Sequence, residues 1–302
     1  MGIGLAGGIN GLWLIGRIPH ANQPQAIFSD ATSYFFMKIF FSENQPDYST
    51  YTFNYAIYCV KEQQVELPDI YSQGFLPYTG NTAIERDIFY LARSLRVELD
   101  NFSDSSENRR VNRKVEPLDI QVKLVAKSEM DLTDARFLDF CMNYASDRFS
   151  GNAMTPERLH YVLSRETGSH ILTFYSEKQI YGYVLAAIEG DILHYWFAFF
   201  DQQYLQSHSL GKWMMWRTIC WAKEQGLSYV YLGTCYGKHS LYKVRDHKGL
   251  TFFDGYKWNK DMARLKQLCK TDYETIDRDR FKLETDQNIF LEQLFVESAL
   301  KS

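Results

Sequence analysis

Between the apolar run I-L-H-Y-W-F-A-F-F (residues 192–200) and a helix-like stretch, the chain reads D-Q-Q-Y-L-Q-S-H-S-L-G-K, residues 201–212. A glycine at such a corner, Gly211, lets the backbone come close to a guest. The N–H groups from Ser209 to Lys212, at the start of the following helix, would point at that guest, which suits an anion or a polarised oxygen. The plainer reading of Gly211 is that it permits a tight turn. Asp201 closes the strand beside this corner, where its carboxylate either orients a substrate amine or caps the turn. Arg217 sits on a helix that is apolar on most faces, so it must find a ligand or a carboxylate, and Glu224, one heptad on, is the internal choice. Upstream, R-R-V-N-R-K gathers Arg109, Arg110, Arg113 and Lys114 on one helical face. Such a face either follows a phosphate backbone or is simply solvated. His170 and His194 lie in strand patterns and read as satisfied interior or edge histidines, with no catalytic assignment.

The whole chain sets the frame for these groups. At 302 residues and 45% hydrophobic content it can bury a real core as one large domain or two modest ones. A formal charge of -4 does not make the molecule a general polyanion binder, so nucleic-acid contact requires a local basic patch. Five scattered cysteines, none in a C-x-x-C pair, argue against a disulfide framework and a zinc knuckle and fit a reducing cytoplasm. The opening M-G-I-G-L-A-G-G-I-N-G-L-W-L-I-G is apolar but broken by glycine, lacks a basic leader and is too short to span a bilayer. It is read either as a degenerate signal peptide or, preferably, as part of a non-native or disordered extension over residues 1–36, with the natural start at Met37. No other stretch reads as transmembrane, so no membrane partner is expected.

A polar, charged run ending near Pro117 separates a tyrosine-rich N-terminal region, residues 37–116, from a strongly patterned one, residues 117–302. In the latter, D-I-Q-V-K-L-V-A-K reads as a strand. Two helices follow: one over residues 131–148 with Phe137, Leu138, Cys141 and Ala145 on one face, and one opened by Thr155 as N-cap with Pro156 next. Three strands with short polar turns then form an antiparallel meander, the third apolar on both faces as a central strand should be. The helix G-K-W-M-M-W-R-T-I-C-W-A-K-E-Q-G is buried nearly all round and capped by Gly226, and L-S-Y-V-Y-L-G is a strand again.

That order of elements resembles the core of the GNAT acyltransferases, in which the turn before the buried helix holds the acyl carrier near splayed strands. Q-S-H-S-L-G is similar to the usual Q/R-x-x-G-x-G/A loop, with Ser209 at the first glycine. More specifically, Phe200 and Asp201, then Ser209, Leu210 and Gly211, then Arg217, then G-L-S-Y-V-Y-L-G and Tyr242-Lys243 resemble, in order, the C-terminal domain of the arginyl- and leucyl-tRNA–protein transferases. G-F-L-P-Y-T-G-N and R-V-E-L-D-N-F-S-D-S-S-E-N-R-R-V-N-R-K-V resemble segments of the same family's first half, so the likeness runs over roughly residues 38–258. The family's C-x-x-C-x-x-C cluster is missing, Leu76 and Pro77 replace a double arginine, and Arg148-Phe149 stand where an Arg-His pair is usual.

The resemblance implies an α/β (α+β) fold: a GNAT-like mixed, mostly antiparallel sheet flanked by helices, preceded by a smaller α/β N-terminal region. It implies an aminoacyltransferase that moves an amino acid from aminoacyl-tRNA to the N-terminal amine of a protein or peptide, with no metal and no redox cofactor. Under it, Asp201 orients the acceptor ammonium or the aminoacyl amino group and accepts a proton, Lys243 neutralises a phosphate or the departing ribose oxygen, and Tyr242 stacks on the terminal adenine; the plainer readings of the last two are a solvated surface lysine and half-buried packing. Ser209, Gly211, Arg217, Phe75 and Tyr78 would bind substrate, and Arg109, Arg110, Arg113 and Lys114 would hold tRNA. An acyl-coenzyme A-dependent N-acyltransferase and a non-catalytic peptide or RNA reader are the competing readings.

Overall fold

The computed structural model describes residues 58–80, 82–148 and 154–272, together with two short strands, β1 (Leu12–Leu14) and β2 (Lys38–Phe40). The expected N-terminal extension apart from β1, and F-L-E-Q-L-F-V-E-S-A-L (residues 290–300), whose pattern predicts a closing helix, lie outside the described residues. Strands β3 (Tyr58–Val60), β4 (Phe75–Pro77) and β5 (Ile88–Leu91) join the first two in an antiparallel sheet of order β1-β2-β3-β5-β4. The short helix α1 (Leu67–Ser72), with Pro68 in its first turn, buries Leu67, Ile70 and Tyr71 against this sheet and Phe89.

The second sheet has eight strands. It contains β6 (Ser94–Glu98), β7 (Gln121–Ala126), β8 (His170–Tyr175), β9 (Ile180–Glu189), β10 (Ile192–Phe200), β11 (Tyr229–Thr234), β12 (Leu250–Phe253) and β13 (Trp258–Asn259). Their order is β13-β12-β6-β11-β10-β9-β8-β7, and every pairing is antiparallel except β10 with β11. The mixed, mostly antiparallel sheet and the β8-β9-β10 meander agree with the sequence analysis. β6 lies N-terminal to Pro117, where the sequence suggested a boundary, and yet is the strand between β11 and β12.

Helices cover both faces. On one, α2 (Ser106–Val115), α6 (Leu210–Glu224) and α8 (Met262–Thr271) bury Val111, Val115, Met214, Ile219 and Leu265 with Leu95, Leu193 and Val230 of the sheet. On the other, α3 (Ala135–Arg148) and α4 (Pro156–Ser164) bury Phe137, Cys141, Ala145, Leu159 and Val162 against Ile171, Leu185 and Phe199. The local signals worked as read: Thr155 accepts from the Arg158 amide at 3.2 Å as N-cap of α4. Gly226, at φ +77°, ends α6, and the Leu227 amide reaches back to the Ala222 carbonyl at 3.1 Å. The five-stranded unit is not separate from the large sheet, since Ile192 and Tyr231 of β10 and β11 belong to its core.

Candidate active site

Parallel β10 and β11 pair only at Ile192–Tyr229, Leu193–Val230 and His194–Tyr231. Beyond that rung the two strands part, and each is irregular there. β10 shifts register against β9 between Tyr195 and Phe197, and β11 shifts against β6 between Tyr231 and Gly233. Gly233 takes φ +79°, a conformation open to glycine at no steric cost. The result is a cleft of about 500 Å³ walled by both strands, the start of α6, the end of α3, α4 and β4.

Its lining is chemically one-sided. Among the described residues, Arg148, Arg158, Lys212 and Lys243 contribute four cations and no carboxylate lines the wall, in a protein of net charge -4. Eight aromatic rings, including Tyr78, Tyr144, Trp196, Phe200 and Tyr242, make up much of the rest. Lys243, on the one-turn helix α7 (Tyr242–Arg245), is held by the carbonyls of Leu232 and Thr234 at 2.9 and 3.2 Å. Burial lowers its pKa below the ordinary lysine value, against an opposing pull from Cys235. Lys212, in the first turn of α6, is tied from behind to Asp246 at 2.7 Å and Glu107 at 3.0 Å. Hydrogen bonds from Arg110 and then Lys212 draw Glu107 down to about 2.

The corner at Ser209–Lys212 is occupied differently from expectation. Ser209 adopts the left-handed conformation (φ 55°, ψ 42°) between the short helix α5 (Leu205–His208) and α6. Its amide donates to Leu205 and the Lys212 amide donates back to Ser209, at 3.1 and 3.0 Å, so at most the Leu210 and Gly211 amides remain for a guest. The Phe200 ring covers Gly211 so closely that a Cβ there would come within 2.6 Å of it. Gly211 therefore lines the cleft and makes room for a ring.

The expected site residues separate into groups. Lys243, Tyr242, Gly211 and Tyr78 line the cleft together. Asp201 and Ser209 sit beside it without lining it; the Asp201 carboxylate accepts from the Gln203 amide at 3.0 Å, the turn cap weighed as its alternative. Arg217 is paired with Glu224 through two hydrogen bonds, at 2.8 and 3.1 Å, which meets its need for a carboxylate. Phe75 is buried in the core of the small sheet, 3% exposed. Arg109, Arg110, Arg113 and Lys114 all lie on the exposed face of α2, while Val111 and Val115 face inward. That helix flanks the corner: Lys114 donates to the Ser207 carbonyl at 3.3 Å, and Asn112 accepts from the Trp213 indole at 2.9 Å.

Sequence reasoning missed four groups. Lys212 stands out in the sequence for its backbone amide alone, Arg148 only as part of a departure from a motif, and Arg158 not at all. His194 was set among the satisfied interior histidines, yet it lines the cleft at the last rung before the strands part. The spacing of the cysteines also concealed that Cys235 and Cys269 meet as free thiols, their sulfurs 3.6 Å apart. Among the described residues no group of three or more His, Cys, Asp or Glu is placed to hold a metal ion, and no helix is long and apolar enough to cross a membrane.

Residues 106–244 match the family model of the acetyltransferase (GNAT) domain. The chain thus carries a GNAT-like fold, and the matched span runs from α2 through β11 to α7. No curated protein sequence matches the chain. Among solved structures, the chain is similar to L-PGS from Bacillus licheniformis at 12% identity and a TM-score of 0.39, covering 77% of this chain and 71% of that one. It is similar to FemX at 11% identity and a TM-score of 0.35, covering 67% of this chain and 64% of that one. The fold assignment rests on the domain match and on the strand order.

Proposed function

We propose that this protein is an aminoacyltransferase of GNAT-like fold that takes an amino acid from aminoacyl-tRNA and joins it to the N-terminal amine of a protein or peptide. The observation that carries this reading is the cleft: among the described residues, four cations, eight aromatic rings and no carboxylate where β10 and β11 part, beside a helix presenting Arg109, Arg113 and Lys114 outward. A 3′-terminal adenosine with its phosphates is anionic and aromatic, and tRNA continues as a polyanion that such a helix suits. The ordered motifs around Asp201, Gly211, Gly233 and Lys243 support the same reading.

Chemically, transfer needs a seat for the ester, a partner for its developing oxyanion and relief of charge on the ribose oxygen that leaves. Lys243, fixed by two carbonyls and already disfavoured as a cation by burial, suits the last role. An α-amine titrates near pH 8, so a strong base is not required. Incubation with labelled aminoacyl-tRNAs and peptides of varied N-termini tests the proposal. Labelled peptide is the expected result, and no label on any acceptor overturns it.

The GNAT domain match makes an acyl-coenzyme A donor the second reading. The consumed amides of Ser209 and Lys212 weigh against it, because a pyrophosphate cradle needs free N–H groups at the helix start. Calorimetry with acetyl-coenzyme A separates the two, with micromolar binding favouring the second.

A further inference from the structure

Tyr71 comes from α1 of the small sheet region and is fully buried, its ring packed against Phe89, Tyr231 and His194 at centroid distances of 5.8, 4.9 and 5.1 Å. Its hydroxyl lies 2.8 Å from His194 Nδ1. A phenol carries one proton, and burial pushes its pKa well above the ordinary value, so the proton stays. Among the described residues that proton has one acceptor, Nδ1. A neutral imidazole that accepts at Nδ1 carries its own proton on Nε2. The ring is kept neutral because burial, with Lys243 nearby, pulls it down to about 3. Nε2 has no hydrogen-bond partner among the described residues, and the ring itself lines the cleft.

We propose that His194 is a catalytic hydrogen-bond donor: locked by Tyr71 as its Nε2–H tautomer, it donates to the carbonyl oxygen of the ester undergoing transfer, with Tyr71 as its positioning residue. The inference rests on the aminoacyl-transfer reading above. In the step, the acceptor nitrogen bonds to the ester carbon and negative charge gathers on the carbonyl oxygen facing Nε2–H. The carbon–oxygen bond to the ribose then breaks with its electron pair, and the proton shed by the amine ends on the ribose oxygen. His194 keeps its proton throughout. It cannot serve as the base, since its lone-pair nitrogen is taken up by Tyr71. A preorganised neutral donor of this kind strengthens its bond as charge develops and needs no reorganisation.

Two measurements decide it. Nitrogen NMR of the free protein labelled at histidine reads the tautomer without any substrate: the expected result at pH 7 is a neutral ring protonated at Nε2, shifting to mixed tautomers in Tyr71→Phe. A ring protonated at Nδ1, or an imidazolium, overturns the inference. In transfer assays His194→Ala is expected to lower kcat by about 100- to 1000-fold with KM little changed, the loss typical of one oxyanion donor. His194→Gln, which keeps an N–H donor and much of the volume, is expected to recover part of that loss, and melting curves confirm that each variant is folded. Wild-type turnover in a folded His194→Ala also overturns the inference. If the wild type transfers from no aminoacyl-tRNA, the functional reading fails and the donor role with it, while the nitrogen spectrum still decides separately whether Tyr71 locks the tautomer.

Discussion

Replacing Gly211 by alanine tests whether the corner before α6 exists to seat an aromatic ring. The added Cβ would lie 2.6 Å from Phe200 Cε1 and Cζ, well inside contact distance. Retreat of the ring toward the cleft costs packing, because Tyr144 lies against it with centroids 4.7 Å apart and Phe200 is only 7% exposed. Overpacking of this kind costs about 1–3 kcal/mol. Alanine returns up to about 1 kcal/mol of helix propensity, less in a first turn. The net expectation is a loss of about 1–2 kcal/mol, or a fall in Tm of roughly 2–6 °C. Phe200→Leu removes the obstructing atoms, so Gly211→Ala in that background is expected to be neutral or mildly stabilising. The coupling energy between the two sites should then be about 1–2 kcal/mol. Urea melts of the wild type, both single variants and the double variant give this number directly. Additive effects, or a single Gly211→Ala variant as stable as the wild type, would refute the steric account.

Three further outcomes are expected. Lys212→Met leaves the Asp246 carboxylate, 8% exposed, with the Arg245 guanidinium 3.6 Å away as its remaining ion pair among the described residues, and should cost about 2–4 kcal/mol in denaturant melts, with Asp246→Asn restoring part of it. Because Glu107 is drawn below its ordinary 4.5 to about 2, its contribution to stability is fully present above about pH 4.5 and is lost as the pH falls toward 2. Glu107→Gln should therefore flatten the acid side of the stability curve measured by chemical melts between pH 2 and 5. Charge removal at Arg109, Arg113 and Lys114 together should weaken tRNA binding and lower the slope of log affinity against log salt by about 2–3, measured by filter binding, while leaving the Tm within a few degrees.

Local rules made much of this fold legible. Periodicity gave α3, α4, α6 and the β8-β9-β10 meander, and Thr155, Pro156 and Gly226 marked ends correctly because caps act within a few residues. Long-range pairing was another matter: nothing local in S-L-R-V-E tells β6 to enter the large sheet between two strands more than 130 residues away in sequence. Gly211, Tyr242 and Lys243, singled out through ordered motifs, line the cleft. His194 was hidden because a strand buried on both faces masks which side chain meets an opening, and only the splay after the His194–Tyr231 rung exposes it. Arg217 and Asp201 show the reverse, since residues suited to chemistry in type have local partners, Glu224 and the Gln203 amide, that satisfy them.

The location of β6 has a consequence for dividing the chain. A fragment begun at Pro117 would retain β11 and β12 but lose the strand that bonds to both, Tyr229 through Thr234 on one side and Leu250 through Phe252 on the other. Two ladders of backbone donors and acceptors would face each other across an empty lane about two strand spacings, roughly 10 Å, wide. Such raw borders invite a foreign strand, so self-association is the natural fate of that fragment.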